Sequence, residues 1–150
     1  MKQKHYRLPI DTPAGTIELE VSHRIVREGE EDMRVTLSAT LQGKRVTYRS
    51  DSTEGALLLL AKSLPENWHV RSCLSCRFGH FCPVGDQDNE LFCVTDFDPK
   101  SPSDLWDVTE DDLERKNRSR TLFACCKHYK EQSADYFTYS DYLSRVKSKE

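Results

Sequence analysis

The placement of the cysteines constrains this chain more than any other feature of its 150 residues: none occurs before position 73, and all six fall at Cys73, Cys76, Cys82, Cys93, Cys125 and Cys126. A disulfide framework would more often staple a whole chain. Thiols gathered in one stretch of a protein in a reducing compartment point instead to metal or catalysis. The compartment is read from what is missing. Met1–Arg7 carries basic residues with no apolar run behind them, and the longest apolar run, Ala56–Ala61, is far too short to span a bilayer. The expected address is the cytoplasm, with no membrane association.

Cys73-Leu74-Ser75-Cys76 is the strongest chemical signal. Two intervening residues let both thiolates turn toward one ion, with N–H groups of the turn aimed at the sulfurs, and Gly79 just beyond lets the turn close. This is the pattern of a zinc knuckle. Cys93, in Leu91-Phe92-Cys93-Val94, reads as a strand returning past it. Leu122–Tyr129 also reads as a strand, in which adjacent Cys125 and Cys126 would face opposite sides. Cys126 shares its face with the smaller companions Leu122, Ala124 and His128, so the expected ligands are Cys73, Cys76, Cys93 and Cys126, with Cys82 first in reserve. Four thiolates around a dication leave net negative charge, and Arg71, Arg77 and Lys127 flank three of these positions.

Other chemistries compete for the same thiols. An iron–sulfur cluster could use Cys73, Cys76, Cys82-Pro83 and Cys93, although the five residues between Cys76 and Cys82 depart from the tighter ferredoxin run. A thioredoxin-type pair wants a helix directly after its cysteines, and Gly79, Pro83 and Gly85 oppose one. A catalytic zinc would need an open position, with His80 or His128 as ligands and Asp86, Asp96 or Asp98 as acids, but no paired-histidine motif fixes such a site.

The first half is patterned for a scaffold. Ile17, Leu19, Val21, His23 and Ile25 alternate with polar residues, and Met33, Val35, Leu37, Ala39 and Leu41 repeat the period of a half-buried strand. Glu28–Asp32 and Gln42-Gly43-Lys44 read as turns, Arg45–Arg49 as a third strand, and Tyr6–Ile10 as a short edge strand. The period then changes: Asp51-Ser52-Thr53-Glu54 caps a helix carrying Leu57, Leu60, Ala61 and Leu64, ended by Pro65. Trp68–Arg71 leads as a strand into Cys73. His23 and Trp68 read as structural.

The second half is poor in apolar residues. Leu, Ile, Val and Phe total 33 of 150 in the whole chain, and few lie between Gly85 and Arg120. Residues 86–114 carry eleven acids and one base, Lys100, whereas 115–130 carry six bases and no acid. Helix starts are expected at Ser101-Pro102 and Thr109–Asp112, and a last helix from Thr138 to Val146. The basic run Arg115–Arg120 complements the end of a helix better than it suggests a nucleic-acid surface in an acidic chain. The aromatic tail, Tyr129, Tyr136, Phe137, Tyr139 and Tyr142, reads as packing.

The expectation is one α+β domain over 1–150. It comprises an antiparallel β-meander with a packed amphipathic helix (1–72), a cysteine-rich metal-binding lobe (73–130) and a C-terminal helical segment (131–150). The expected function is a small protein-interaction module with structural zinc, its partner a protein. A metal-dependent enzyme or iron–sulfur redox protein is the alternative.

Overall fold

The computed structural model describes residues 2–27, 29, 33–81, 91–133, 136–138, 140 and 142. The architecture is α+β, and by internal contacts the chain divides into two compact units, Met1–Val70 and Arg71–Glu150.

The first unit is a five-stranded antiparallel sheet in the order β4-β3-β2-β1-β5. Its strands are β1 (Lys2–Thr12), β2 (Gly15–Arg27), β3 (Met33–Leu41), β4 (Lys44–Ser50) and β5 (His69–Val70). The period-two pattern sets the register. Leu8 pairs with Leu19, Val21 with Ala39, and Leu37 with Tyr48, so one face carries the buried Leu8, Ile10, Leu19, Val21, Val35, Leu37 and Ala39. The opening segment is not a short edge strand. It runs for 11 residues between β2 and β5, because the turn at Pro13-Ala14 lets it zip along β2 as far as Lys2↔Ile25. Gly15 makes that turn possible, with φ at 123°.

Helix α1 (Thr53–Ser63) packs against β3 and β4. Ser52 caps it by accepting a hydrogen bond from the Gly55 N–H at 2.9 Å. Ala56, Leu57, Leu60 and Ala61 are buried. His23 is buried on the inward face of β2, where its Nε2 lies 3.0 Å from Thr53 Oγ1 and its ring meets Tyr6 edge-on. Its role is structural, joining sheet to helix.

The second unit holds a three-stranded antiparallel sheet, β6 (Gly79–His80), β7 (Leu91–Cys93) and β8 (Ser119–Arg120), with β7 in the centre. Helices α2 (Pro102–Glu110) and α3 (Asp112–Arg118) pack on each other, and α3 also packs on β7. The second start falls later than Thr109 because the Asp111 carboxylate accepts the Leu113 N–H at 3.0 Å. Leu122–Tyr129 is not a strand: Ala124 N–H closes a turn on Thr121 O and Tyr129 N–H another on Cys126 O. Of the expected last helix, Tyr139, Asp141 and 143–146 lie outside the described residues. Leu74, Phe81, Leu91, Phe92, Val94, Leu105, Leu122 and Phe123 are all buried, more apolar burial than the composition of this half suggests.

His23 gives the first unit a pH dependence. Burial, and secondarily the Lys4 charge, hold its imidazole below the ordinary value of 6.5. Protonation is therefore easier in the unfolded chain, so stability is complete above 6.5 and declines as the pH falls below it toward the folded value. Denaturant titrations across this range should show that decline, and His23→Gln should flatten it; equal slopes in both proteins would contradict the assignment.

Candidate metal centre

Residues 72–77 form a tight, buried knuckle whose polar groups are internally satisfied. Ser75 N–H donates to Ser72 O at 3.0 Å, Cys76 N–H to Cys73 O at 3.3 Å, and Gly79 N–H to Cys76 O at 3.1 Å. The Ser72 hydroxyl accepts the Leu74 N–H, while the Ser75 hydroxyl accepts the Ser72 N–H. These N–H groups thus reach oxygen rather than the expected sulfurs, oxygen being the stronger acceptor. Gly79 is required for space. A Cβ there would stand 2.2 Å from the Cys73 carbonyl oxygen.

A second stretch of chain is sewn onto the knuckle. Cys73 N–H donates to Ala124 O at 2.7 Å, Arg77 N–H to Lys130 O at 2.7 Å, and Gln132 N–H to Ser75 O at 3.3 Å. The buried Gln132 side chain donates to Leu74 O at 2.9 Å, and Tyr129 Oη meets Ser75 Oγ at 2.9 Å. From the other side, β6 pairs with β7 so that Gly79 stands opposite Cys93. Val94 N–H donates to Phe78 O at 3.0 Å.

The result brings five cysteines together. Cys73, Cys76, Cys93, Cys125 and Cys126 line one cavity with Phe78, Gly79, Leu91, Thr95, Arg120 and Tyr129. Its free space is about 10 Å³, the room of about one water-sized sphere. Burial, then the neighbouring thiols Cys76, Cys93, Cys126 and Cys125 in decreasing order, push the Cys73 thiol up to about 12. Among the described residues no group of three or more His, Cys, Asp or Glu side chains is placed to hold a metal ion. Because Cys125 and Cys126 sit between two turns, they do not face opposite ways as strand residues would. Cys82 lies outside the described residues.

The cations near the site act differently from expectation. The Arg71 guanidinium lies over the Tyr129 ring at 4.8 Å, and Arg77 over Tyr136 at 3.9 Å. Lys127 is exposed. Arg118, from the run read as helix-end charge, reaches furthest in: it donates to Cys93 O at 3.0 Å and grips Asp96 with both nitrogens, at 2.6 and 2.7 Å. Those bonds hold the Asp96 carboxyl below its ordinary value. Nothing in the sequence marked Gln132, one polar residue in a polar stretch, and the basic run that holds Arg118 did not single it out. The serines flanking the cysteine pair were a usable signal, because serine hydroxyls readily cap tight turns.

Neither His80 nor His128 lines the cysteine cavity. His80 is buried and stacks on Phe137 with ring centroids 5.9 Å apart, and burial lowers its imidazole to about 4. His128 is exposed and does not line the cysteine cavity. The aromatic tail packs onto this unit: Tyr142 is buried, Phe137 meets His80, and Thr138 Oγ1 donates to Arg77 O.

Compared with protein-family models, curated proteins and solved structures, the chain shows no significant match to any of the three. The chemistry of these residues therefore carries the functional argument.

The geometry at Gly79 gives a direct test. Gly79→Ala forces a methyl group into the Cys73 carbonyl and should destabilise the second unit by about 1–3 kcal/mol. Gly29→Ala, where no atom lies within 4 Å, should stay within about 0.5 kcal/mol of the parent in denaturant melts. Equal effects would mean the knuckle is not closed as described.

Proposed function

We propose that the unit Arg71–Glu150 holds one structural zinc ion on Cys73, Cys76, Cys93 and Cys126, and that the chain acts as a small protein-interaction module. The observation that carries this reading is the gathering of five thiols from three separate chain segments around one ion-sized cavity. Soft thiolates in such a set select zinc or an iron–sulfur cluster over hard cations. Cys125 and Cys126 both line the cavity, and Cys126 is taken as the fourth ligand. Four thiolate donors leave no open position for a substrate or water, so the ion's role is structural rather than catalytic.

The chain's own residues supply the outer support. Gln132 neutralises knuckle carbonyls, Arg118 fixes the Cys93 backbone, and the Ser72–Ser75 hydroxyls lock the turn. Zinc would add tetrahedral bonds that tie residue 73 to residue 126. The second unit has buried apolar side chains of its own, so chelation should loosen it rather than leave it without any core. A reducing compartment such as the cytoplasm would keep the thiols available.

For the interaction role, α2 and α3 present Trp106 and Leu113, 41% and 68% exposed, among exposed Asp104, Glu110 and Asp111. Aromatic and aliphatic side chains amid like charge suit a partner with a basic, partly apolar face. Among the described residues no helix is long and apolar enough to cross a membrane.

Elemental analysis of purified protein should give one zinc per chain. Cys→Ser changes at 73, 76, 93 and 126 should each lower zinc content and thermal midpoint, and Cys125→Ser should retain the ion. A brown protein absorbing near roughly 400 nm would instead indicate a cluster. A metal-free, folded protein with its thiols free to react would remove the proposal. Trp106→Ala with Leu113→Ala should weaken partner capture at unchanged zinc content; unaltered capture would remove the interaction surface.

A further inference from the structure

Five cysteines line a cavity where a tetrahedral ion needs four donors, and two of the five, Cys125 and Cys126, are exposed. Cys125 is exposed, with its Sγ 3.8 Å from the Cys126 carbonyl oxygen, whereas Cys73 is half-buried and Cys76 buried. The backbone fixes where Cys125 can reach. Cys73 N–H donates to Ala124 O at 2.7 Å. Standard bond lengths across that contact put the Cys73 and Cys125 Cα atoms about 5–6 Å apart. Disulfides form at Cα separations of roughly 4.4–6.8 Å. Adjacent Cys126 is a poorer partner, because neighbouring Cα atoms stand only about 3.8 Å apart.

We propose that Cys125 is an oxidisable fifth thiol that, on meeting a peroxide, links to Cys73 and thereby withdraws a ligand from the metal site. The inference rests on the zinc reading, which keeps Cys73 deprotonated as a ligand. In the first step the Cys125 sulfur is oxidised by two electrons to a sulfenic acid, while the peroxide O–O bond breaks and leaves an alcohol or water. In the second step the Cys73 thiolate attacks that sulfur. The S–S bond forms, the S–O bond breaks, and the departing hydroxide takes a proton from solvent. One thiol, one thiolate, one peroxide and one proton thus become a disulfide, water and the reduced peroxide. The site is left with three thiolates and loses its closed shell, so the ion departs. Thiol reductants reverse the link by exchange.

The test treats the full chain as purified with hydrogen peroxide, follows zinc release with a chromogenic chelator, and maps disulfides by peptide mass spectrometry. The parent should release its ion in step with a Cys125–Cys73 disulfide. Cys125→Ala should start with the same zinc content and release it about tenfold or more slowly. Equal release rates, or a disulfide that omits Cys125, would overturn the proposal. Cys125→Ala isolated without zinc would also overturn it, since Cys125 would then be a ligand. If the parent itself carries no zinc, the structural-zinc reading falls. Zinc-loaded protein that forms no Cys125–Cys73 link would end this inference alone.

Discussion

Everything in the second unit depends on a short ladder of hydrogen bonds between 72–77 and 124–132. Cys73 to Ala124, Arg77 to Lys130, and Gln132 to Ser75 close a loop of more than 50 residues, and they do so beside the cysteine pair. Closing a long flexible loop costs conformational entropy that a few net hydrogen bonds of about 1 kcal/mol each offset only partly. Buried Leu74, Leu91, Phe92 and Leu122 contribute on the same side of the balance. In the zinc reading proposed above, an ion bonded to both ends would add the rest.

The same ladder explains why polar residues are so prominent around the candidate site. A knuckle places several carbonyls in a buried turn, and each needs a donor. Gln132 answers Leu74 and Cys76, while beside the knuckle Arg118 answers Cys93 in β7 and Arg77 Nε answers Glu131. The guanidinium groups of Arg71 and Arg77 lie on tyrosine rings, so their stems and planes pack the aromatic tail.

Much of the first unit was legible in the sequence, because a sheet with one buried face writes its period into the chain. The alternation through β2 and β3 gave their extent, and Ser52 marked the helix start. The length of β1 was not legible: Pro9 and the polar outward residues of Lys2–Thr12 weaken the pattern, and pairing with β2 overrides it. In the second unit the Cys-x-x-Cys spacing and Gly79 signalled a tight turn, and Leu91–Cys93 is the expected returning strand. The Cys125–Cys126 segment misled, since its apolar residues Leu122 and Phe123 fill a core from a turn rather than from a strand. Long-range partners such as Gln132 leave no periodic trace, so only tertiary structure reveals them.

The most direct test of the central claim is X-ray absorption at the zinc edge of the purified protein under reducing conditions. The account predicts a single shell of four sulfur atoms at about 2.3 Å, with no light-atom scatterer in the first shell. A shell containing nitrogen or oxygen at about 2.0–2.1 Å would contradict the all-cysteine centre. Absence of any bound zinc would contradict the metal site altogether.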